Sequence, residues 1–344
     1  DDSTVPNLTS TAINAMTSNP ALIAAKQAAG FTLLPGYLSV FDFERAVPYA
    51  DAPKYSGTDY VQNSNDSFWL TNLNAPEVEQ ALFSNRSYLA ESILSQLLTI
   101  CQAQGSSPVA LGADNIDISA GCSALALWDG TMNKNSSSAH LFREFAFLFN
   151  QNPQWQQDFA VDNAITTPKG LVNNTTTLEQ FAQAIVNVES AGVALDATLG
   201  TVQFVERSLP DGSASGVKIP WAGAHNIEGG FNVFGARTGN DGSLLPRHVY
   251  PAQNNDSILS AEGKGYHISY GSSWMTVVNF TEDGPVARGL LSYSQSNEYG
   301  SDHNLDQTLL YSQQPQLRPL RFTEEDIEAN KVSEMTITSA VSSN

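Results

Sequence analysis

This sequence of 344 residues is poor in basic residues, and it has only two cysteines and no long apolar run. Lys and Arg together number 16 against 35 Asp and Glu, so the formal net charge is −19. A surface so acidic repels phosphate backbones and anionic lipid, and no cluster of Lys and Arg offsets it. No apolar run approaches the roughly 20 residues that cross a bilayer. We therefore predict neither a nucleic-acid partner nor a membrane span.

Motifs of several common enzyme classes are absent as well. The sequence has no Gly-x-Ser-x-Gly elbow, no His-Glu-x-x-His, no phosphate-binding glycine loop and no Cys-x-x-Cys. Asp302, His303 and Asp306 resemble half of a metal site, but a polar loop that bonds its own backbone is the favoured interpretation. We predict no metal and no cofactor. The histidines are scattered without ligand spacing, at His140, His225, His248, His267 and His303.

The two cysteines, Cys101 and Cys122, flank a loop rich in Gly, Ser and Asp. Two free buried thiols would suit an intracellular protein. A disulfide would suit an oxidising compartment. The scarcity of basic residues and the abundance of Asn, Ser and Thr favour export, so we predict that the two cysteines are bonded. Their Cα atoms are then expected about 5–6 Å apart.

Apolar periodicity predicts a mixed α+β chain. We expect helices over 76–103, 140–150 and 177–191, the last opened by a capping box of Thr177 and Gln180. Strands are expected over 202–206, 266–270, 274–280 and 287–293, with a tight hairpin turn at 271–273. Thr323 and Asp326 have the spacing of a cap for one short final helix. Residues 331–344 read as a flexible tail.

One polar segment, at residues 60–69, has the composition of a functional site. Asn63, Asn65 and Asp66 lie between apolar Val61 and the pair Phe68-Trp69. Amides held at the edge of a core must be hydrogen-bonded, which makes them rigid donors. A rigid side-chain amide suits an oxyanion hole, where an N–H points to the developing negative charge. Taken alone, an Asn-rich turn is the more common explanation.

The run Asn-Ser-Asn-Asp-Ser-Phe-Trp-Leu-Thr-Asn at residues 63–72 resembles a signature of the penicillin acylase family, in its acyl-homoserine lactone and aculeacin acylase branch. Further segments resemble the family in the same order, at residues 122–129, 139–145, 271–280 and 294–307. In the last of these the family's prolines are missing, replaced by residues 298–302. The resemblance extends over residues 1–330.

Membership of that family implies a processed enzyme with the αββα sandwich of N-terminal nucleophile hydrolases, of which this chain would hold part, with loop-rich and helical insertions about 76–192. In the family a precursor is cut into a small (alpha) and a large chain. The new N-terminal Ser, Thr or Cys of the large chain attacks the amide with its own α-amine as base. Asp1 has neither a hydroxyl nor a thiol. Residues 2–7 resemble a stretch well inside the large chain, so we expect this to be its C-terminal portion, either processed or incomplete at Asp1.

The resemblance also implies roles for individual residues. Asn65 matches the asparagine that donates to the oxyanion, and Asn63 is the competing assignment. Arg86 falls where the family has an arginine that orients the active site, although it would equally suit a solvated position on the predicted helix 76–103. Phe68 and Trp69 are expected to pack rather than to bind substrate.

The resemblance implies an amidohydrolase that removes an acyl chain from an amide such as an N-acyl-homoserine lactone. A β-lactam acylase is the alternative enzyme, and a non-catalytic scaffold or binding homologue is the alternative from another class. The expected partners are the alpha chain and the nucleophile-bearing part of the large chain. The expected location is the periplasm or outside the cell.

Overall fold

A computed structural model describes residues 75–163, 166–230, 232–235, 250, 252–268, 270–281 and 284–336. They form a mixed structure of helices and short strands, which confirms the α+β prediction at that level. The helices are α1 (Ala75–Leu82), α2 (Tyr88–Gln104), α3 (Ser119–Ala126), α4 (Ala139–Gln151), α5 (Thr175–Ser190), α6 (Leu199–Val202), α7 (Asp306–Gln313) and α8 (Glu324–Asn330), with short 3-10 turns at Val161–Asn163 and Asn226–Glu228. The strands are β1 (Val109–Leu111), β2 (Asp114–Ile116), β3 (Trp155–Gln157), β4 (Lys169–Leu171), β5 (Gln203–Ser208), β6 (Ala214–Pro220), β7 (Val233–Gly235), β8 (Tyr266–His267), β9 (Tyr270–Gly271), β10 (Trp274–Thr281), β11 (Gly284–Leu291) and β12 (Arg318–Pro319).

The single helix predicted over 76–103 is wrong, because the chain breaks it into α1 and α2. Asn85 in the break has a left-handed backbone with φ of 52°. Its carbonyl accepts the N–H of Met132 at 2.8 Å, and its side chain donates to Asn133 at 2.8 Å. Ser87 then caps α2 by accepting the N–H of Ala90 at 3.2 Å. Long-range contacts of the break therefore override the helical periodicity on either side of it.

A disulfide joins α2 to α3 and confirms the cysteine prediction. Cys101 and Cys122 are bonded, with their Cα atoms 5.7 Å apart. Cys101 is buried in the same face of α2 as Ile93 and Leu97, so the bond anchors α3 against the core.

The core is centred on α4, which confirms the helix predicted over 140–150. Because α4 is buried almost all round, its aromatic residues pack on several neighbours. The ring of Phe145 meets Phe181 of α5 edge-on with centroids 6.0 Å apart, and Phe142 lies 4.9 Å from Trp128. The capping box predicted for α5 is wrong. Asn174 caps the helix instead, by accepting the N–H of Thr177 at 2.8 Å.

The strands form small sheets, and their pairing corrects the predicted hairpin. β10 pairs antiparallel with β11, with Thr281 opposite Gly284, and β12 extends that sheet. β8 instead pairs in parallel with β5, whose other neighbour is β6, while β9 pairs with β7. Residues 271–273 are therefore not a hairpin turn between 266–270 and 274–280. The cap predicted for the last helix is confirmed, since Thr323 accepts the N–H of Asp326 at 3.2 Å.

Candidate functional site

The predicted site residues divide between the described and the undescribed parts of the chain. Asn65, its competitor Asn63, and Phe68 and Trp69 lie outside the described residues. Arg86 is described, and it lies in the break between α1 and α2 rather than on a helix. The prediction of a solvated arginine on a helix 76–103 is therefore wrong about its backbone.

The backbone of Arg86 is held on two sides. It forms an antiparallel β-bridge with Thr131, in the loop that follows α3. Gly230 also lies against Arg86, and there is no room for a side chain at Gly230. A Cβ at Gly230 would stand 2.8 Å from the carbonyl oxygen of Arg86 and 1.9 Å from the Cβ of Ala224. Only glycine permits so close an approach. The break between α1 and α2 is therefore held by two segments that are distant in sequence, at Thr131 and at Gly230.

The side chain of Arg86 is held by Glu91 in the first turn of α2. Nε of Arg86 donates to Oε1 of Glu91 at 2.6 Å, and a terminal nitrogen donates to Oε2 at 2.9 Å. This is the paired geometry in which a guanidinium and a carboxylate lie side by side. The side chains are 19% and 34% exposed, so the ion pair is partly in contact with solvent.

Arg86 and Glu91 lie on the wall of an open cleft of about 410 Å³. Asp129, on the same wall, is occupied by local bonds. Its Oδ1 accepts the N–H and the hydroxyl of Thr131 at 2.9 and 3.0 Å, and its Oδ2 accepts Ser136 at 3.0 Å. The remaining wall is formed by Ser84, Ala90, Leu94, Gly130 and Thr131.

A second Arg–Glu pair, Arg143 with Glu228, was not predicted from the sequence. Arg143 of α4 is bound through Nε to Glu228, and both side chains are fully buried. Arg143 also donates to the side chain of Gln203 and to the carbonyl of Gly223. Burial opposes its positive charge, but Glu228, with Tyr266 and Glu144, raises the pKa of Arg143.

The two pairs are joined through the backbone of Glu228 and Gly229. The hydroxyl of Ser87 donates to the carbonyl of Glu228 at 3.2 Å, and the N–H of Tyr88 donates to the carbonyl of Gly229 at 3.2 Å. The residues that follow Arg86 are therefore attached to the loop that Arg143 fixes.

Next to Arg143, the carboxyl of Glu144 is also fully buried. It accepts the hydroxyls of Tyr266 and Ser257, each at 2.7 Å. Burial raises the pKa of Glu144 to about 7 in spite of these bonds. One turn earlier, burial lowers the pKa of His140 to about 4, while its Nε2 lies 2.9 Å from the carbonyl of Ala194.

The Asp302–His303–Asp306 loop is a self-bonded polar loop. Nδ1 of His303 lies 2.8 Å from Oδ2 of Asp306, which raises the pKa of His303. The N–H groups of Gln295 and Ser296 donate to the carbonyl of His303 at 3.2 and 3.0 Å, so residues 295–296 lie against the loop that contains His303. Over the described part of the chain, no group of three His, Cys, Asp or Glu side chains has the arrangement of a metal site.

The cleft wall has one guanidinium, that of Arg86, and two carboxylates, of which Glu91 is paired with Arg86. An arginine stays protonated in proteins and offers planar N–H donors without acting as a base. Arg86 can therefore orient a polar group or a neighbouring backbone segment, but proton abstraction must come from another residue.

Among the helices of the described ranges, none is long and apolar enough to span a bilayer.

Comparison with known proteins relates the chain to a family. The family model described as "Penicillin amidase" matches residues 2–329. The chain is 26% identical over 337 residues to "Acyl-homoserine lactone acylase PvdQ" of Pseudomonas syringae pv. syringae (strain B728a), an alignment that covers 85% of this chain and 39% of the relative. It is 27% identical over 337 residues to the protein of the same name in Pseudomonas savastanoi pv. phaseolicola, with 85% and 39% covered. It is 26% identical over 325 residues to "Aculeacin-A acylase" of Actinoplanes utahensis, with 82% and 37% covered. The chain thus spans about two fifths of the length of these relatives.

Proposed function

Because this chain belongs to the penicillin amidase family, we propose that the protein that contains it is an acylase, which hydrolyses the amide between an acyl chain and an amine. The observation that carries the proposal is the family match over residues 2–329, within which residues 63–72 keep the run Asn-Ser-Asn-Asp-Ser-Phe-Trp-Leu-Thr-Asn. The relatives' names, two acyl-homoserine lactone acylases and an aculeacin-A acylase, support amide-linked acyl chains as the substrate class.

In the proposed reaction the nucleophile is an N-terminal Ser, Thr or Cys on a segment outside this chain. Its side-chain oxygen or sulfur attacks the amide carbonyl, its own α-amine takes the proton, and the amine leaves with a proton. Water then hydrolyses the acyl-enzyme and releases the acid. The side chain of Asn65 donates to the oxyanion as it forms. Arg86, fixed in the loop between α1 and α2, orients the residues around that site.

The proposed architecture is part of the αββα sandwich of N-terminal nucleophile hydrolases, over residues 1–330, with a helical insertion at about 76–192 and a tail at 331–344. The alpha chain and the nucleophile-bearing part of the large chain would complete it. The Cys101–Cys122 disulfide supports a periplasmic or secreted location, because disulfides persist in oxidising compartments.

We propose an N-acyl-homoserine lactone with a medium or long acyl chain as the substrate. An apolar acyl pocket gains roughly 0.8 kcal/mol for each methylene that it buries, so chain length should change kcat/KM strongly. Because the amide carbonyl is the group attacked, the lactone ring should leave unopened.

Product analysis of the complete processed protein tests this proposal. At matched concentrations, we expect N-acyl-homoserine lactones to be cleaved faster than phenylacetyl or phenoxyacetyl β-lactams, with a free fatty acid and an intact homoserine lactone detected by mass spectrometry. A series from four to fourteen acyl carbons should show a graded rise in kcat/KM.

Each other outcome identifies a different error. Preferential cleavage of β-lactams would place the protein in the β-lactam acylase branch. A ring-opened acyl-homoserine would mean that the wrong bond was chosen. No hydrolysis of any amide by a correctly processed protein would favour a non-catalytic scaffold.

A further inference from the structure

The ion pair of Arg86 and Glu91 has two hydrogen bonds, although both side chains are partly exposed. Both oxygens of Glu91 accept from the guanidinium, at 2.6 and 2.9 Å. The chain contains a matched pair with the same five-residue spacing, Arg321 and Asp326, which also ends in the first turn of a helix. That pair has one contact, of 2.9 Å between a terminal nitrogen of Arg321 and Oδ1 of Asp326. The two pairs share their spacing, but they differ in geometry, in the length of the acidic side chain and in the exposure of the arginine, 19% for Arg86 and 46% for Arg321.

The backbones at both ends of the Arg86–Glu91 pair are fixed. The backbone of Arg86 forms a β-bridge with Thr131, and its carbonyl oxygen lies so close to Gly230 that a side chain at Gly230 would collide with it. The N–H of Glu91 donates to the carbonyl of Ser87 at 3.1 Å, which places it in the helix that Ser87 caps. With both backbones fixed, two parallel bonds allow one orientation of the guanidinium plane.

We propose that Glu91 is a positioning residue of the acylase, which acts by holding the guanidinium plane of Arg86 at the cleft. This inference rests on the proposed function, and it assigns to Glu91 a role in the rate of amide cleavage. Glu91 itself does not touch the reacting atoms. It fixes the direction of the donors of Arg86, because an arginine with a single contact samples many orientations.

A role in stability alone fits the pair poorly. Partly exposed ion pairs contribute little to folding, since the gain in Coulomb energy is offset by lost side-chain entropy. A fixed guanidinium contributes to reaction rate instead, because catalytic groups displaced by about 1 Å lose up to about 10²-fold in rate.

The test uses the complete processed protein and four variants. Glu91→Gln keeps the length of the side chain but replaces one acceptor oxygen by a donor, which breaks the paired geometry. Arg86→Gln removes the guanidinium, and the double variant combines both changes. Asp326→Asn, in the matched pair, is the control. For each protein, kcat, KM and Tm are measured with one N-acyl-homoserine lactone.

We expect Glu91→Gln to lower kcat by about tenfold, with KM changed less than about twofold and Tm changed by less than about 2 °C. If Glu91 acts through Arg86, the double variant should be no slower than Arg86→Gln, because interacting residues are non-additive. Asp326→Asn should have the wild-type kcat and KM.

The possible failures are distinguishable. A wild-type protein that cleaves no amide overturns the proposed function and this inference together. An active wild type with an unaltered Glu91→Gln variant overturns the role of Glu91 alone. The role is equally overturned if the losses of the two single variants multiply in the double variant, or if the loss of activity follows a fall in Tm.

Discussion

Two of the Arg–Glu pairs in the described part of the chain, Arg143–Glu228 and Arg86–Glu91, differ in burial, and a third, Arg288–Glu79, is partly exposed. Both side chains of Arg143 and Glu228 are 0% exposed, whereas Arg86 and Glu91 are 19% and 34% exposed. The buried pair has further partners in Gln203 and in the carbonyl of Gly223. A buried charge needs such partners because its loss of hydration is costly. The exposed pair has little desolvation to offset and little stability to give.

Under the proposal made above, the two pairs have different roles. The buried pair fixes the loop that contains Glu228 and Gly229, and that loop in turn holds Ser87 and Tyr88. Under the same proposal, the partly exposed pair orients one side chain on a loop that is already fixed. Changes at the two pairs should therefore separate stability from activity.

The largest expected effect follows from removing one partner of the buried pair. Arg143→Met leaves the carboxylate of Glu228 buried without its counter-charge, so the free energy of unfolding should fall by about 3–5 kcal/mol. Arg86→Met should lower it by about 1 kcal/mol or less. Chemical denaturation of the two variants beside the wild type measures both values, and equal losses would break the comparison.

The second effect concerns the disulfide. Replacement of Cys101 and Cys122 by Ala removes a cross-link that closes a loop with a sequence separation of 21 residues. In the chain-entropy model this costs roughly 3 kcal/mol of unfolding free energy. Thermal denaturation of the double variant, compared with the wild type with and without reductant, checks it. A reduced wild type as stable as the oxidised one would contradict the prediction.

The sequence allowed helix α4 and the cap at Thr323 to be predicted because each depends on local spacing, and the disulfide was predicted from a composition that favours export. The break at Asn85 could not be predicted from periodicity, since its bonds are made to Met132 and Asn133. The hairpin was misplaced at Gly271, although Asp283-Gly284 is the stronger turn signal in the sequence.

The site residues were predicted on a different basis from the fold. Arg86 and Asn65 were assigned by resemblance to a family, and the local sequence does not indicate the partner of Arg86. The hydrogen-bond partners of Arg143 and Glu144 lie 43 to 122 residues away along the chain, so no local pattern signals that these charges are buried. Apolar neighbours such as Leu141 and Phe145 gave helix α4 its predicted core face, and the buried charges lie on its other sides.

The third effect is on the pH dependence of stability. The pKa of Glu144 is raised to about 7, so its contribution is complete below the ordinary value of 4.5 and is lost as pH rises through 7. The pKa of His140 is lowered from 6.5 to about 4, so its contribution is complete above 6.5 and is lost as pH falls through 4. Between these limits the two contributions have opposite slopes, each of at most about 1.4 kcal/mol per pH unit.

Single variants should expose each slope. From pH 4.5 to 6.5, the free energy of unfolding of Glu144→Gln should rise with pH more steeply than that of the wild type, because only the contribution of His140 remains. His140→Gln should instead lose stability with pH relative to the wild type. Denaturation at half-unit pH intervals measures the slopes, and parallel curves for all three proteins would rule out the shifted pKa values.

The rate of amide cleavage by Asn65→Ala, beside Asn63→Ala as the matched control, tests most directly whether the protein is an acylase with this oxyanion donor. Both variants are made in the complete processed protein, and single-turnover release of the acyl product is followed with an N-acyl-homoserine lactone. We predict that Asn65→Ala lowers turnover by about 10²–10³ with the fold intact, because one oxyanion donor is lost. Asn63→Ala should remain near the wild-type rate. A loss confined to Asn63→Ala, or none in either variant, would contradict the assignment of Asn65.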